Sequence, residues 1–566
     1  MTLRCRPGAA LLGLAGLLVG AVGAAGSVVP SSPAPAPAPA MGAVTGPAAS
    51  PAGPNIVVVM ADDMRVDDLR FAPNIRRLVA RRGLTFRNSF SPFPLCCPAR
   101  ASFFTGVYTH RHRVWSHTRR WGYQAFDDSR TIATALRRTG YQTGFVGKYL
   151  NGYGPHESKV SGIPSWRYVP RGWTDWRASL DPGVAGTHGG TYNYYDTPYN
   201  VNGRLDNRYR GRYQTTVIGD FSVGMARRLG RRAKPFFMSV NYVAPHFGGP
   251  TEADDPGRIT NRHGTLRGFP TPARPQWVRG RFDGVVTRAA GLPKGGGPAE
   301  RSVKDKPPIL RRLAELKLSE RAALREVTRQ RAESVFVMDQ QVRRLIATLR
   351  RTGEWKNTVF MFTSDNGYFQ GEHRKRQGKI LGHEPSLRVP FLVTGPGMRG
   401  GGQHGRLRFD PITTVDVAAT ILDLAGARPP YAPDGASRVP TMRRGDRGWT
   451  TPVLYEALHT GGQQGGGFDD ARTAIGVRTA RYSMLVYRNG AELYDLVEDP
   501  LENRSRWDDR DYRFVRRALR QVWWDLKDCR GADCRIALPA RLAAGPHKIR
   551  RMTTRYWRVV DRVYGW

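Results

Sequence analysis

Two short polar pairs in this chain follow two apolar runs. Asp62-Asp63 comes one residue after Ile56-Val57-Val58-Val59-Met60, and Asp365-Asn366 comes two residues after Thr358-Val359-Phe360-Met361-Phe362. Three carboxylates and one amide oxygen are the donors that a hard divalent cation such as Ca²⁺ takes. A single Asp pair reads as well as a turn or a helix cap; two pairs behind two like runs read as one metal site. Between them, Cys96-Cys97-Pro98-Ala99-Arg100 sets two adjacent cysteines shortly before an arginine. A bond between neighbouring cysteines would be strained, and the five residues alone fit a buried free thiol as well as a reactive one.

Positioning these groups requires strands that end where they begin. The β-branched run 56–60 reads as a strand buried on both faces. Helical patterns follow over 73–82, closed by Gly83, and over 131–139, before a strand end at Phe145-Val146. Residues 236–240, 358–362 and 389–393 read as further strands. Helices are expected over 316–351, where Met338, Val342, Leu345, Ile346 and Leu349 recur at three and four, and over 415–424. The alternation predicts an α/β fold: a mixed, mostly parallel central sheet flanked by helices. Ligands of such sheets bind outside the carboxyl ends of the strands, where both polar pairs fall. Residues 248–306, rich in Gly, Pro and Arg, read as a surface insertion near the site mouth within a catalytic domain over 55–430. Shorter alternating segments such as Ser483–Tyr487 predict a smaller antiparallel-sheet subdomain over 431–528. A basic tail follows over 529–566; from 535 on it carries eight Arg/Lys and one Asp, interleaved with Trp557, Tyr564 and Trp566.

The N-terminus orders Arg4 and Arg6, an apolar run over 9–22 and small residues at 23–26, which reads as a secretory signal over 1–25. The run is short for a membrane span, so no span is expected after signal removal and the protein is expected to be secreted, extracellular or bound to a cell wall. An Ala/Pro-rich linker over 26–54 follows. Cys529 and Cys534 are close enough to pair in an oxidising compartment. The composition, 40% hydrophobic and 24% charged, excludes a disordered chain. With 88 Lys+Arg against 47 Asp+Glu, a formal +41, the chain attracts polyanions or carries a solvated basic surface; nothing in it specifies nucleic acid.

Cys96-x-Pro98-x-Arg100, followed by Thr105-Gly106, resembles the signature of the type I sulfatases of the alkaline-phosphatase-like superfamily. The resemblance continues through Gly147-Lys148-Tyr149-Leu150-Asn151, Ala244-Pro245-His246, Gly378-Lys379, Arg388-Val389-Pro390 and Glu492-Leu493-Tyr494-Asp495-Leu496. The Cys-Cys-Pro-Ala-Arg and Gly-Lys-Tyr-Leu-Asn variants look most like the branch of N-acetylglucosamine-6-sulfatases and extracellular heparan sulfatases. The resemblance implies that a formylglycine-generating enzyme oxidises Cys96 to formylglycine. It implies one Ca²⁺ held by Asp62, Asp63, Asp365 and Asn366 together with residue 96. Arg100 would fix the formylglycine hydrate, Lys148 and Lys379 would bind sulfate, and His246 would serve the leaving group. The substrate expected is a sulfated glycan or an aryl sulfate, with the basic tail as a possible polyanion contact. Many family members place a histidine two residues after the lysine; here Leu150 stands there and Asn151 is the next polar group. His373 and His383 flank Lys379 within reach of a substrate, whereas His110 and His112 read as structural. The alternatives are a phosphonate or phosphate ester hydrolase of the same superfamily, and a secreted polyanion-binding protein.

Overall fold

Val57, Val59 and Ala61 enter one hydrophobic core while Ile56, Val58 and Met60 enter another, as a strand covered on both faces requires. That strand is β1 (Asn55–Ala61) of a computed structural model that describes residues 53–117, 121–398, 405–457 and 472–565. The expected secretory signal and nearly all of the Ala/Pro-rich linker lie outside these residues. The main sheet adds β2 (Leu84–Phe90), β3 (Gln142–Gly147), β4 (Asp175–Ser179), β5 (Tyr199–Val201), β6 (Arg204–Asp206) and β7 (Phe236–Asn241). A two-stranded hairpin, β8 (Ile259–Thr260) and β9 (Leu266–Arg267), lies within the 248–306 segment. The main sheet is completed by β10 (Thr358–Ser364), β11 (Phe391–Thr394) and β12 (Arg406–Thr413). Its order is β12-β2-β11-β10-β1-β7-β3-β4-β5-β6, and the central run from β10 to β4 is parallel throughout. The fold is thus the mixed, mostly parallel α/β sheet expected.

Helix α1 (Cys96–Thr105) and α4 (Thr414–Leu424) cover one face, while α2 (Gln214–Gly230) and the long α3 (Leu318–Arg351) cover the other. The apolar stripe from Met338 to Leu349 on α3 is fully buried there. Two boundaries move. The segment expected as a helix over 73–82 is helical at Pro73–Ile75 and widens to a π turn over Arg76–Ala80. The strand expected from Val389 begins at Phe391, since Pro390 has no N–H to give a ladder.

The second sheet is antiparallel: β13 (Val453–Ala457), β14 (Ala474–Arg478), β15 (Tyr482–Tyr487) and β16 (Gly490–Asp495). Helix α5 (Arg513–Leu526) packs on it, and Cys529 and Cys534 form a disulfide just beyond. The basic end of the chain contains α6 (Pro546–Tyr564), which buries Ile549, Thr553, Tyr556 and Tyr564. It is docked through Asn88 Nδ2 to Thr553 Oγ1 (2.8 Å) and through the Arg388 guanidinium, 4.2 Å from the Tyr556 ring. No helix among the described residues is long and apolar enough to cross a membrane.

Candidate active site

Neighbouring parallel strands deliver the predicted groups to one place. In the sheet the order β10-β1-β7-β3 brings together the carboxyl ends that carry Asp365-Asn366, Asp62-Asp63, the loop to His246, and Lys148. Ala61 and Ser364 are register partners, so the two polar pairs leave the sheet side by side. The Asp63 N–H donates to Asp365 Oδ1 (3.1 Å), and Asn366 Nδ2 donates to Asp63 Oδ1 (2.6 Å). Gly147 turns the chain into Lys148 at φ 94°, where a Cβ would lie 1.9 Å from Asn241 O, so only glycine fits.

Cys96 and Arg100 come from the opposite side, on the first turns of α1. Cys96 is fully buried at the helix N-terminus, and its Sγ lies 3.1 Å from Asp62 Oδ1 and 2.9 Å from Lys379 Nζ. Arg100 donates Nε to Asp365 Oδ2 (2.8 Å) and Nη1 to Lys148 O (2.8 Å). Lys148 is paired with Asp62, and Lys379 with Asp63. His246 gives its Nδ1–H to Phe247 O (2.6 Å), which turns Nε2 toward Asp63 Oδ2 at 3.6 Å. Every residue predicted for the site, Asp62, Asp63, Cys96, Arg100, Lys148, His246, Asp365, Asn366 and Lys379, is therefore in one buried cluster.

The electrostatics follow from that burial. Burial, then Asp62, pushes the Cys96 thiol well above its ordinary value. Burial alone would raise Asp62, but Lys148, His246 and Arg100 hold it well below the carboxylate range. Asp365 is raised to about 6 by burial and by Asp62. His246 is drawn down to about 4 by burial, against the pull of Asp63 and Asp62.

The donor set fits a hard cation. Asp63 Oδ2 and Asn366 Oδ1 are buried without a hydrogen-bond partner, a costly condition that a metal ion relieves. Ligand atoms of Asp62, Asp63, Cys96 and His246 all lie within 4.8 Å of one another. Three carboxylates here face Lys148, Lys379 and Arg100, which balances the charge; a divalent cation would leave the cluster with a positive excess. A second acidic group, Glu252, Asp254 and Asp255, is committed to Arg274, which pairs with Glu252 (2.6 Å) and Asp254 (2.7 Å).

Other histidines are placed elsewhere. His373 binds Glu300 (2.9 Å) and His383 faces Glu492 (3.5 Å), both buried. His110 binds Glu456 and His112 binds Ser102. Two neighbours of the site carry no sequence motif. Tyr192 sets its ring 4.9 Å from Lys148 Nζ and 4.5 Å from the His246 ring. His117 has its Nε2 buried without a partner among the described residues, and its basicity is lowered by burial and by Lys379, Lys148 and His246. The aromatic run Tyr192-Asn193-Tyr194-Tyr195 was the one signal for the first; the second had none.

Comparison with known proteins gives a family. The sulfatase family matches residues 54–427, and the family of N-sulphoglucosamine sulphohydrolase C-terminal regions matches residues 371–528. The chain is similar to an arylsulfatase of Volvox carteri, 31% identical over 390 residues, 66% of this chain and 56% of that one. It is similar to a Drosophila melanogaster extracellular sulfatase SULF-1 homolog, 28% identical over 71% of this chain and 33% of that one. The chain thus spans about half and one third of these two relatives. A human N-acetylglucosamine-6-sulfatase is 28% identical over 73% of this chain and 69% of its own length. Among solved structures, an enzyme in complex with its substrate D-glucosamine-2-N,6-O-disulfate shares the fold, with a TM-score of 0.59 and 21% identity over 83% of this chain and 97% of that one.

Proposed function

The chain belongs to the sulfatase family, and from that premise we propose that it is a secreted sulfuric-ester hydrolase acting on a sulfated carbohydrate or an aryl sulfate. It would use formylglycine formed at Cys96 and one bound Ca²⁺. The observation that carries this reading is the setting of Cys96, buried and enclosed by Asp62, Asp63 and Lys379 with the arginine of its own helix beside it. Oxidised by a formylglycine-generating enzyme and hydrated, its side-chain carbon would carry two hydroxyls, one to attack sulfur and one to expel sulfate. Asp62, Asp63, Asp365 and Asn366 would hold the cation, which when bound supplies Lewis acidity toward the ester.

The chain's own side chains supply the remaining steps. Arg100, tied by Nε and Nη1, keeps a buried Nη2 without a partner for residue 96. Lys148 and Lys379, now on carboxylates, would turn to the sulfate oxygens as point charges. His246 holds Nε2, the nitrogen left without a proton when Nδ1–H goes to Phe247 O, and would have to take up a proton there before donating it to the leaving-group oxygen. The test is parallel hydrolysis of 4-nitrophenyl sulfate and 4-nitrophenyl phosphate, with and without a calcium chelator. Sulfate turnover that the chelator removes is expected; faster phosphate or phosphonate cleavage would move the protein to the alternative chemistry of the superfamily.

The basic end supports a second contact with a polyanionic substrate. Arg551, Arg555, Arg558 and Arg562 are exposed along one stripe of α6, where they raise the local concentration of a sulfated polymer. Changing all four to Gln should lower the salt at which the protein leaves a heparin column; an unchanged elution would place that contact elsewhere.

A further inference from the structure

Lys148 opens a segment whose next polar side chain is Asn151, because Tyr149 and Leu150 are buried in the core. Asn151 Nδ2 donates to Tyr192 Oη at 2.6 Å, while Asn151 Oδ1 is buried with no partner. Tyr192 Oη, having accepted that bond, gives its own hydrogen to no group among the described residues. An amide has two donors and an acceptor, and a phenol one donor and an acceptor. The pair is thus left with one unused acceptor, Asn151 Oδ1, and two unused donors, the second Asn151 N–H and the Tyr192 O–H. Turning the amide over, so that the phenol donates to Asn151 Oδ1, leaves the same sum: two N–H donors and one acceptor, Tyr192 Oη. Buried polar groups are seldom left so.

The pair also stands in a telling place. The Tyr192 ring lies between Lys148 Nζ (4.9 Å) and the His246 ring (4.5 Å), the two groups assigned above to the sulfate and to the leaving-group oxygen. Phe247, stacked on His246 at 4.3 Å and 39% exposed, gives the rim an apolar face on which a ring can lie. A hydroxyl group gives one hydrogen bond and takes one, so a single hydroxyl on the leaving group meets the unused acceptor and one of the two unused donors. The ring of a simple aryl sulfate completes neither.

We propose that Asn151 and Tyr192 read a hydroxyl of the leaving group, and that the ester cleaved at this site is borne by a hydroxylated ring, a carbohydrate sulfate rather than an aryl sulfate. The proposal rests on the sulfatase reading of Cys96 and its neighbours. Tyr192→Phe keeps the ring against Lys148 and His246 and removes only the hydroxyl. It should lower the ratio of kcat/KM on a hexose or hexosamine sulfate to kcat/KM on 4-nitrophenyl sulfate by about 10- to 100-fold, since a site built to bond a hydroxyl discriminates by leaving its own groups unpaired. Asn151→Ala should lower the same ratio in the same sense. Deleting the neighbouring hydroxyl from the sugar sulfate should cost the native protein a similar factor and cost Tyr192→Phe little more, because both changes remove one interaction. A ratio unchanged within about twofold in both variants overturns the proposal. So does a native protein that cleaves 4-nitrophenyl sulfate but no member of a panel of hexose and hexosamine sulfates, and that outcome leaves the sulfatase reading standing. A native protein with formylglycine at position 96 that cleaves neither kind of sulfate overturns both.

Discussion

Cys96→Ala should abolish catalysis, lowering kcat/KM on 4-nitrophenyl sulfate by on the order of 10⁴-fold or more, as loss of a covalent nucleophile does. The fold should survive. Cys96 Sγ touches Asp62, Asp63 and Lys379 at the head of α1, and removing one buried sulfur leaves a small cavity costing about 1 kcal/mol. A second substitution separates nucleophile from exit. Cys96→Ser would offer one hydroxyl, form a sulfate ester once and stop, because no second hydroxyl on that carbon can expel the product. Intact mass after incubation should therefore show a sulfated Ser variant and an unmodified Ala variant. Mass spectrometry of the native protein from the culture medium should show an aldehyde in the peptide bearing Cys96 and an N-terminus beyond residue 25. Turnover retained in the Ala variant would sink the mechanism; a thiol at position 96 in fully active protein would do the same. Cys97 gives a contrast. It lies on the same turn but points to Asn151 O at 3.9 Å and into the core, so its requirement is packing rather than chemistry.

Asp62, Asp63, Asp365, Asn366, Lys148 and Cys96 were legible in the sequence because they stand by a strand end or a helix start, whereas His246 and Lys379 lie in loops and were legible through the resemblance alone. The apolar runs 56–60 and 358–362 marked two strands, and in parallel sheets the carboxyl ends of strands are where ligands bind. The proximity of those ends was not legible. Strand order β10-β1-β7-β3 is set by pairings across some 300 residues, such as Ala61 with Ser364, and no local pattern encodes it. Tyr192 shows the limit most plainly. It lies in a loop between β4 and β5, and only the placement of Lys148 and His246 by other strands gives its hydroxyl a meaning. The end of the chain shows the opposite case. Ile549, Tyr556 and Tyr564 have the spacing of one helix face, but eight basic residues against one Asp drew the reading toward a tail.

Asp63 offers the sharpest test of the metal. Its backbone is left-handed, φ 64°, a conformation that Asn tolerates as well as Asp, so Asp63→Asn should fold without backbone strain. Its two oxygens have different duties. Oδ1 takes the Asn366 amide at 2.6 Å and the Lys379 ammonium, whereas Oδ2 is buried without a hydrogen bond, 3.6 Å from His246 Nε2. An amide in this place removes one charge of three carboxylates and sets an N–H₂ group where an oxygen donor is needed. Ca²⁺ should then bind far more weakly, since hard cations are selected by the number and charge of oxygen ligands. The rise in Tm that Ca²⁺ gives to the native protein, expected because a ligand of the folded state stabilises it by mass action, should vanish in the variant. Activity should fall about a thousandfold, in line with the several kcal/mol that a metal contributes to stabilising charge in the transition state. Asp254→Asn is the control, in the other acidic group, where Arg274 already meets the carboxylates; its Ca²⁺ response should match the native protein. An Asp63→Asn protein that keeps both its Ca²⁺-dependent Tm and its turnover would remove the cation from the site. A protein that loses turnover but keeps the Ca²⁺ response would instead assign Asp63 to holding Lys379, and the metal would have to rest on Asp62, Asp365 and Asn366 alone.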